Sequence, residues 1–438
     1  MNKEDLVTLL DKVISKLQKR DEILLDRENK ITIKSWIFSE YEIAYYIADI
    51  YSKQHSIPKK YLKYYIKTTD NNRRPKITIT NKGRQILKSE FVHIVISKRL
   101  LAGGSLAKTF LGEDKNNKTI VIKSASGWSS KKLANEIIYL RELGKYNEVS
   151  LHIPKIIDSD ISENDTSLTL KYYPYNTLSY HILFSKNNTE EIWRTTKKVL
   201  DFVSKNIWTK KNQITPDNYI ETFFLDRIVN NAEKMATQSV LLSKITDKKT
   251  VTINGHRYIN LLGIVKQIRN NESLQKRLRP PYLQTIWGDL HPNNILIHSD
   301  KFILIDPRGD MGDYLYDLGK IYHTYGPGRY DYIDNDLFSV KVTIDTDINI
   351  KRRFFIEHPS WKSYNKLRVL FEKDIYKYIN KSDENWRLRW EFLKFCIYAT
   401  MPLFLIKNDG VESRALMGYS NAVIFGNRFL KYLNDHGK

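Results

Sequence analysis

The stretch Ile286-Trp287-Gly288-Asp289-Leu290-His291-Pro292-Asn293-Asn294-Ile295-Leu296-Ile297, with Phe302-Ile303-Leu304-Ile305-Asp306-Pro307-Arg308-Gly309 close behind it, decides how the rest of the chain reads. Apolar β-formers flank a polar turn, and a second apolar run ends on another acid. The pattern predicts a loop, a strand, a tight turn and a second strand, with polar groups delivered at the turns. Asp289, Asn294 five residues later and Asp306 twelve beyond that supply two carboxylates and an amide oxygen. Oxygen donors of this kind suit a hard divalent cation. A lone D-x-x-x-x-N is usually a turn or a helix cap, whereas the complete string is far more specific.

The string resembles the loop H-G-D-[LI]-H-x-x-N-[IV]-[LI] of the superfamily that includes aminoglycoside phosphotransferases and choline kinases. The resemblance implies an α+β, bilobal protein-kinase-like fold with a small β-rich N-lobe and a large helical C-lobe. It implies ATP, with GTP as the alternative nucleotide, and Mg²⁺ as cofactors, Asp289 as the catalytic acid that receives the acceptor's proton, and Asn294 and Asp306 as metal ligands. Trp287 stands where the family has histidine, so packing of the loop must differ. Pro307-Arg308-Gly309 stands where protein kinases have Phe-Gly. The Asp306-Pro307-Arg308-Gly309 string and Tyr316-Asp317-Leu318-Gly319-Lys320-Ile321-Tyr322-His323 are similar to a narrower subgroup of phosphotransferases associated with capsule and surface-polysaccharide synthesis. That likeness covers about thirty residues. It implies a sugar, polyol or related hydroxyl compound as acceptor, with Arg308 and His323 on the acceptor side and Asp313 and Asp317 as structural support.

Upstream, Phe91–Leu101, Thr109–Leu111 and Thr119–Lys123 read as strands, with Gly103-Gly104-Ser105 at a turn. Small residues there let backbone N–H groups approach phosphates. Lys123 ends Ile120-Val121-Ile122-Lys123, and an amphipathic helix from Lys131 to Leu143 carries Glu136 thirteen residues further on. In the resembling kinases this is the lysine that meets the α- and β-phosphates, and the glutamate that pairs with it. A strand near Ser167–Tyr175 is similar to the one entering the kinase hinge, where backbone around Tyr172 and Tyr173 would meet adenine. Segments 189–208, 219–235, 365–378, 383–405 and 421–433 read as helices. Asn254-Gly255-His256 reads as a hairpin turn, and Asn335–Asp347 as a strand pair.

The expected domains are 1–90, 91–175 (N-lobe) and 176–438 (C-lobe, catalytic loop 286–310). The 438 residues carry a net charge of +21, yet from Lys53 to Lys88 eleven Lys or Arg face a single acid, Asp70. Amphipathic helices, a basic turn and Ile77-Thr78-Ile79-Thr80-Asn81-Lys82-Gly83-Arg84 are similar to a winged-helix module. A basic module can meet nucleic acid or a protein, and Lys-rich background composition gives the same charge. No apolar run reaches the roughly 18 residues of a membrane span. One cysteine, Cys396, excludes an internal disulfide framework and fits a reducing cytoplasm. Rival readings are a choline, amino-alcohol or aminoglycoside kinase, an atypical protein kinase of the RIO type acting on RNA particles, and a nucleotide-sensing DNA-binding regulator. About 130 residues follow Asp306, more than the short C-lobe of the RIO type requires.

Overall fold

The computed structural model describes residues 22–25, 31–34, 76–78, 108–114, 118–162, 165–185, 188–210, 212–344, 347–406 and 412–436. The Gly103–Ser105 turn, the strand expected over 91–101 and the helices expected before residue 90 lie outside them. Chain contacts divide the protein into two compact units, 1–137 with 155–172, and 138–154 with 173–438.

The first unit holds two sheets. Strands β1 (Glu22–Leu25), β2 (Ile31–Lys34) and β3 (Lys76–Thr78) form an antiparallel set in the order β1-β2-β3. Of these, only β3 falls where the alternation Lys76–Thr80 predicts a strand. The second sheet is built from β4 (Lys108–Glu113), β5 (Thr119–Ser126), β6 (Ile156–Ile161) and β7 (Asp165–Lys171), in the order β4-β5-β7-β6, all antiparallel. In register, Lys123 faces Thr109 on one side and Leu168 on the other, so it sits on a central strand of this sheet. Helix α1 (Trp128–Leu143) follows β5 through a turn at Gly127, whose φ of 60° favours glycine. It buries Leu133, Ile137, Leu140 and Leu143, the 3–4 spacing of one helix face.

The second unit is mostly helical. Short strand β8 (Asn176–Thr177) pairs with β13 (Ile295–His298), which forms a hairpin with β14 (Lys301–Leu304), Ile295 opposite Leu304. A second small sheet joins β9 (Asn212–Ile214), β12 (Tyr282–Thr285) and β15 (Met311–Gly312). Pairing of Thr285 with Met311 fastens the entry of the catalytic loop to the segment just after Arg308. The loop is therefore clamped at both ends by short β-pairs.

Around these lie α2 (Asn147–Ser150), α3 (Leu178–Phe184), α4 (Thr189–Asn206), a π-turn segment (Ile220–Leu225) continuing into α5 (Asp226–Ala236), and α6 (Val240–Thr246). Hairpin β10 (Thr250–Ile253) and β11 (His256–Ile259) turns at Asn254 and Gly255, both with positive φ. Then come α7 (Leu261–Arg269), α8 (Glu272–Leu278), α9 (Tyr314–Tyr325) and α10 (Tyr330–Asp334).

The expected strand pair within 335–347 is instead one strand, β16 (Phe338–Ile344). Its partner is the later β17 (Ile348–Phe354), and β17 also runs parallel to β10. The alternation at Phe338–Ile344 gave the strand but not its partner, because the basic run Lys351-Arg352-Arg353 masked the second one. Helices α11 (Trp361–Asp374), α12 (Trp386–Ala399), α13 (Pro402–Leu405) and α14 (Ser413–His436) complete the unit. Pro402 ends what the periodicity predicts as one helix over 383–405, since proline has no N–H to continue the ladder. Helix α14 is 24 residues long, well beyond the 421–433 expected. Among the described residues no helix is long and apolar enough to cross a membrane, and Cys396 is buried in α12.

Candidate active site

Asp289 sits in a loop whose backbone is fixed from beneath. The buried carboxylate of Asp317, on α9, accepts from the Trp287 N–H at 2.8 Å, the Gly288 N–H at 2.7 Å and the Trp208 indole at 3.0 Å. Gly288 has φ 79°, and a Cβ there would meet Arg308 Cβ at 2.9 Å, so glycine is favoured on two counts. Trp287 is fully buried and its indole donates to the Ile305 carbonyl at 3.1 Å, while Arg308 N–H donates to the Trp287 carbonyl at 3.0 Å. Trp287 thus ties the Asp289 loop to the strand end carrying Asp306. Tyr139, on the part of α1 in the same unit, donates to the Ile286 carbonyl at 2.5 Å.

Asn294 lies in a 3₁₀ turn (Pro292–Asn294). Its amide nitrogen donates to the Asp289 carbonyl at 3.0 Å, and its own carbonyl accepts from Ile305 N–H at 3.0 Å. The amide nitrogen being used, the amide oxygen is the atom left to meet a cation. Asp306 adopts φ 58°, a conformation unusual for a residue with a Cβ. Strain of this sort collects at functional positions. The backbone bond donated by Ile305 sets the residue before Asp306 against Asn294, and an amide oxygen and a carboxylate are donors of the kind Mg²⁺ takes, because hard cations prefer oxygen. No cluster of three or more His, Cys, Asp or Glu placed to hold a metal occurs among the described residues.

The carboxylate of Asp289 meets Lys320 Nζ at 2.8 Å, and His291 Nε2 stands 3.7 Å from its other oxygen. Burial would raise its pKa, but Lys320, His291 and Arg308 together hold it well below the usual carboxylate range. Asp317 moves the opposite way. Burial drives it up to about 6, only partly offset by its three hydrogen-bond donors. Two carboxylates in one network are therefore set apart by their surroundings. Burial likewise depresses His291 and His323, so both rings are neutral at physiological pH.

Lys320, paired with Asp289, is the residue of this cluster that sequence reasoning missed. All twelve residues of α9 are buried, so the helix has no wet face for a lysine to occupy. A lysine in such a helix must find a charge partner. That was the available signal.

The other expected residues are placed as follows. Lys123 Nζ meets Glu136 Oε1 at 2.5 Å, with side chains only 6% and 12% exposed. Tyr172 and Tyr173 leave β7 half-buried. Arg308 donates to the Tyr316 hydroxyl at 3.2 Å. His323 is buried, stacks on Tyr330 at 4.6 Å and pairs through Nδ1 with the Lys320 carbonyl. Asp313 caps α9 through Leu315 N–H at 3.0 Å and accepts from Arg389 Nε at 2.7 Å, while Asp383 takes the rest of that guanidinium.

No protein-family model matches the chain, and no curated protein matches it. Solved structures to which it is similar include a Haemophilus somnus 129PT protein assigned as a fructosamine-3-kinase, at 12% identity and TM-score 0.44, covering 88% of this chain and 96% of that one. Another is an aminoglycoside-3'-phosphotransferase of type VIII, at 14% identity and TM-score 0.36, covering 71% and 92%. Both are named as kinases or phosphotransferases of small molecules.

Proposed function

We propose that the chain is a phosphotransferase that moves the γ-phosphate of ATP to a hydroxyl of a small molecule, with a sugar, polyol or related surface-polysaccharide precursor as acceptor. The observation that carries this reading is the Asp289 carboxylate, held ionised by Lys320 at 2.8 Å in a loop that also sets Asn294 against the residue before Asp306.

The acceptor O–H donates to Asp289, which aligns its oxygen on the γ-phosphorus. The P–O bond to the acceptor forms as the bond to ADP breaks, and the proton passes to Asp289. A carboxylate held at low pKa is a weak base, and weak is sufficient here. A loose, metaphosphate-like transition state needs the hydroxyl oriented more than deprotonated. Asn294 and Asp306 are the residues that would hold Mg²⁺, which when bound neutralises charge on the phosphate oxygens. Lys123, kept in place by Glu136, is the group for the α- and β-phosphates, and Gly103, Gly104 and Ser105 are the further phosphate-binding residues that the resemblance implies. Arg308 contacts Tyr316 and borders the Asp289 loop, and His323 braces the ring cluster beneath it.

A transfer screen with radiolabelled ATP across sugars, polyols, amino alcohols and aminoglycosides tests the reading. Labelled product from wild type that disappears with Asp289→Asn is expected. Wild-type protein that labels no acceptor and releases no phosphate would overturn it.

A further inference from the structure

Two guanidiniums feel the Asp289 charge, and neither forms an ion pair with a carboxylate among the described residues. Lys320 is already paired with Asp289. Arg308 lays its methylenes across Gly288, and its guanidinium donates to the Tyr316 hydroxyl at 3.2 Å. Arg227, half-buried on α5, forms no ion pair or hydrogen bond among the described residues.

Its position follows from the helix. Phe223 and Phe224, in the preceding turn, pack on the Tyr316 ring at 6.1 and 6.2 Å. Arg227 is three to four residues further on, so it projects from that same face. The electrostatics agree. Burial first, then the Arg308 charge, pulls Arg227 below its ordinary value. Burial would raise the Tyr316 phenol, but Arg308, Lys320 and Arg227 together lower it. Asp289 and Asp310 are felt by both arginines. A buried nitrogen, His291 Nδ1, also lacks a hydrogen-bond partner beside the same carboxylate.

Against the burial that lowers it, Tyr316, Asp289 and Asp310 hold Arg308 above its ordinary value, so Arg227 is the guanidinium that burial and a like charge disfavour and that an incoming anion would relieve. Paired guanidiniums present the fork geometry that matches phosphate or carboxylate oxygens.

We infer that the acceptor is itself an anion, a hydroxyl compound carrying a phosphate or carboxylate that Arg227 and Arg308 grip while its hydroxyl meets Asp289. This rests on the phosphotransferase reading for the chemistry, but the binding half can be tested without turnover.

The full-length protein, with a non-hydrolysable ATP analogue at saturation so that the nucleotide's phosphates are in place, is titrated calorimetrically with three matched sets. These are glucose, glucose 6-phosphate and glucuronate; glycerol, glycerol 3-phosphate and glycerate; and ribose, ribose 5-phosphate and ribonate. Binding of at least one anionic member at least tenfold tighter than its neutral parent is expected, and the phosphate and carboxylate arms show which oxyanion is preferred. Arg227→Gln should abolish that preference, Arg227→Lys should restore only part of it, and neither should shift the affinity for the ATP analogue.

Neutral parents binding as well as every anion would overturn the inference. So would an Arg227→Gln defect confined to the nucleotide, because the arginines would then serve ATP. Anion binding that needs Arg227 in a protein that transfers no phosphate would support the site while sinking the phosphotransferase reading.

Discussion

Each of the two compact units contains a buried lysine–carboxylate pair, and they differ in what the carboxylate can still do. In the first unit Lys123 and Glu136 close on each other at 2.5 Å with both side chains almost wholly covered. In the second, Lys320 is covered but the Asp289 side chain keeps 26% of its surface exposed. The glutamate is covered together with its lysine. The aspartate, by contrast, has one oxygen on Lys320 and a second that is only loosely approached by His291, so it can still accept from an incoming hydroxyl. On the proposed function, the lysine is the working group in one pair and the acid holds it, and in the other the roles are exchanged.

The strongest way to break this comparison is Asp289→Asn. Turnover should fall on the order of 10³-fold, as expected when a positioned acid or base is lost. Nucleotide affinity, read by fluorescence or calorimetric titration, should stay within about twofold. An active Asn variant would reduce Asp289 to scaffold.

Exchanging the lysines sharpens it. Lys123→Met should weaken nucleotide binding, and it should cost about 3–5 kcal/mol of stability because Glu136 is left charged in a buried place. Lys320→Met should lower kcat while leaving the KM for ATP nearly unchanged. Its stability cost should be smaller, since Asp289 can turn to water. Lys320→Arg should recover part of the rate. Urea unfolding together with steady-state kinetics on both variants decides the matter, and identical signatures would end the distinction.

A further test uses pH. Asp317 has its pKa raised to about 6, so the fold prefers its protonated form. From pH about 4 to 6 the native state binds more protons at this group than the unfolded chain does. Its effect on stability is therefore least harmful below about pH 4, and it worsens to about 3 kcal/mol by pH 6. Asp289, with its pKa depressed, acts in reverse, its contribution being present at neutral pH and lost as pH falls below the ordinary carboxylate range. Subtracting the urea midpoints of Asp317→Asn from those of wild type should reveal a slope confined to that window.

The comparison also shows what the residues could disclose in advance. Lys123 and Glu136 are thirteen positions apart on a strand and the next helix, so short-range patterning exposes the pair. The β-formers around Asp289, Asn294 and Asp306 disclosed the strands that bracket their turns, while the roles expected of the three came from the resemblance. Lys320 is 31 positions from Asp289 and reaches it through a tertiary contact. Periodicity says only that its helix is apolar. Arg227 was invisible for the same reason, being one basic residue among many on an amphipathic helix. The partner of β16 was misplaced because a strand's alternation marks its faces but not its neighbour. The indole of Trp287 gives the opposite lesson: the sequence showed a departure, but its hydrogen bond to Ile305 emerges only once two chain segments are brought together.

The smallest expected effect concerns the ground on which the Asp289 side of the comparison stands. Gly288→Ala adds a methyl at φ 79°, where an L-residue is strained, and sets it 2.9 Å from Arg308 Cβ. The conformational term is about 1 kcal/mol. Relief of the contact must come either from Arg308, whose side chain can slide, or from the loop, whose amides are fastened to Asp317 at 2.7 and 2.8 Å. The arginine should yield first. A drop of a few degrees in melting temperature is then expected, with the KM for the acceptor rising more than kcat falls. A variant that instead lost kcat alone would mean that the loop had moved and taken Asp289 with it.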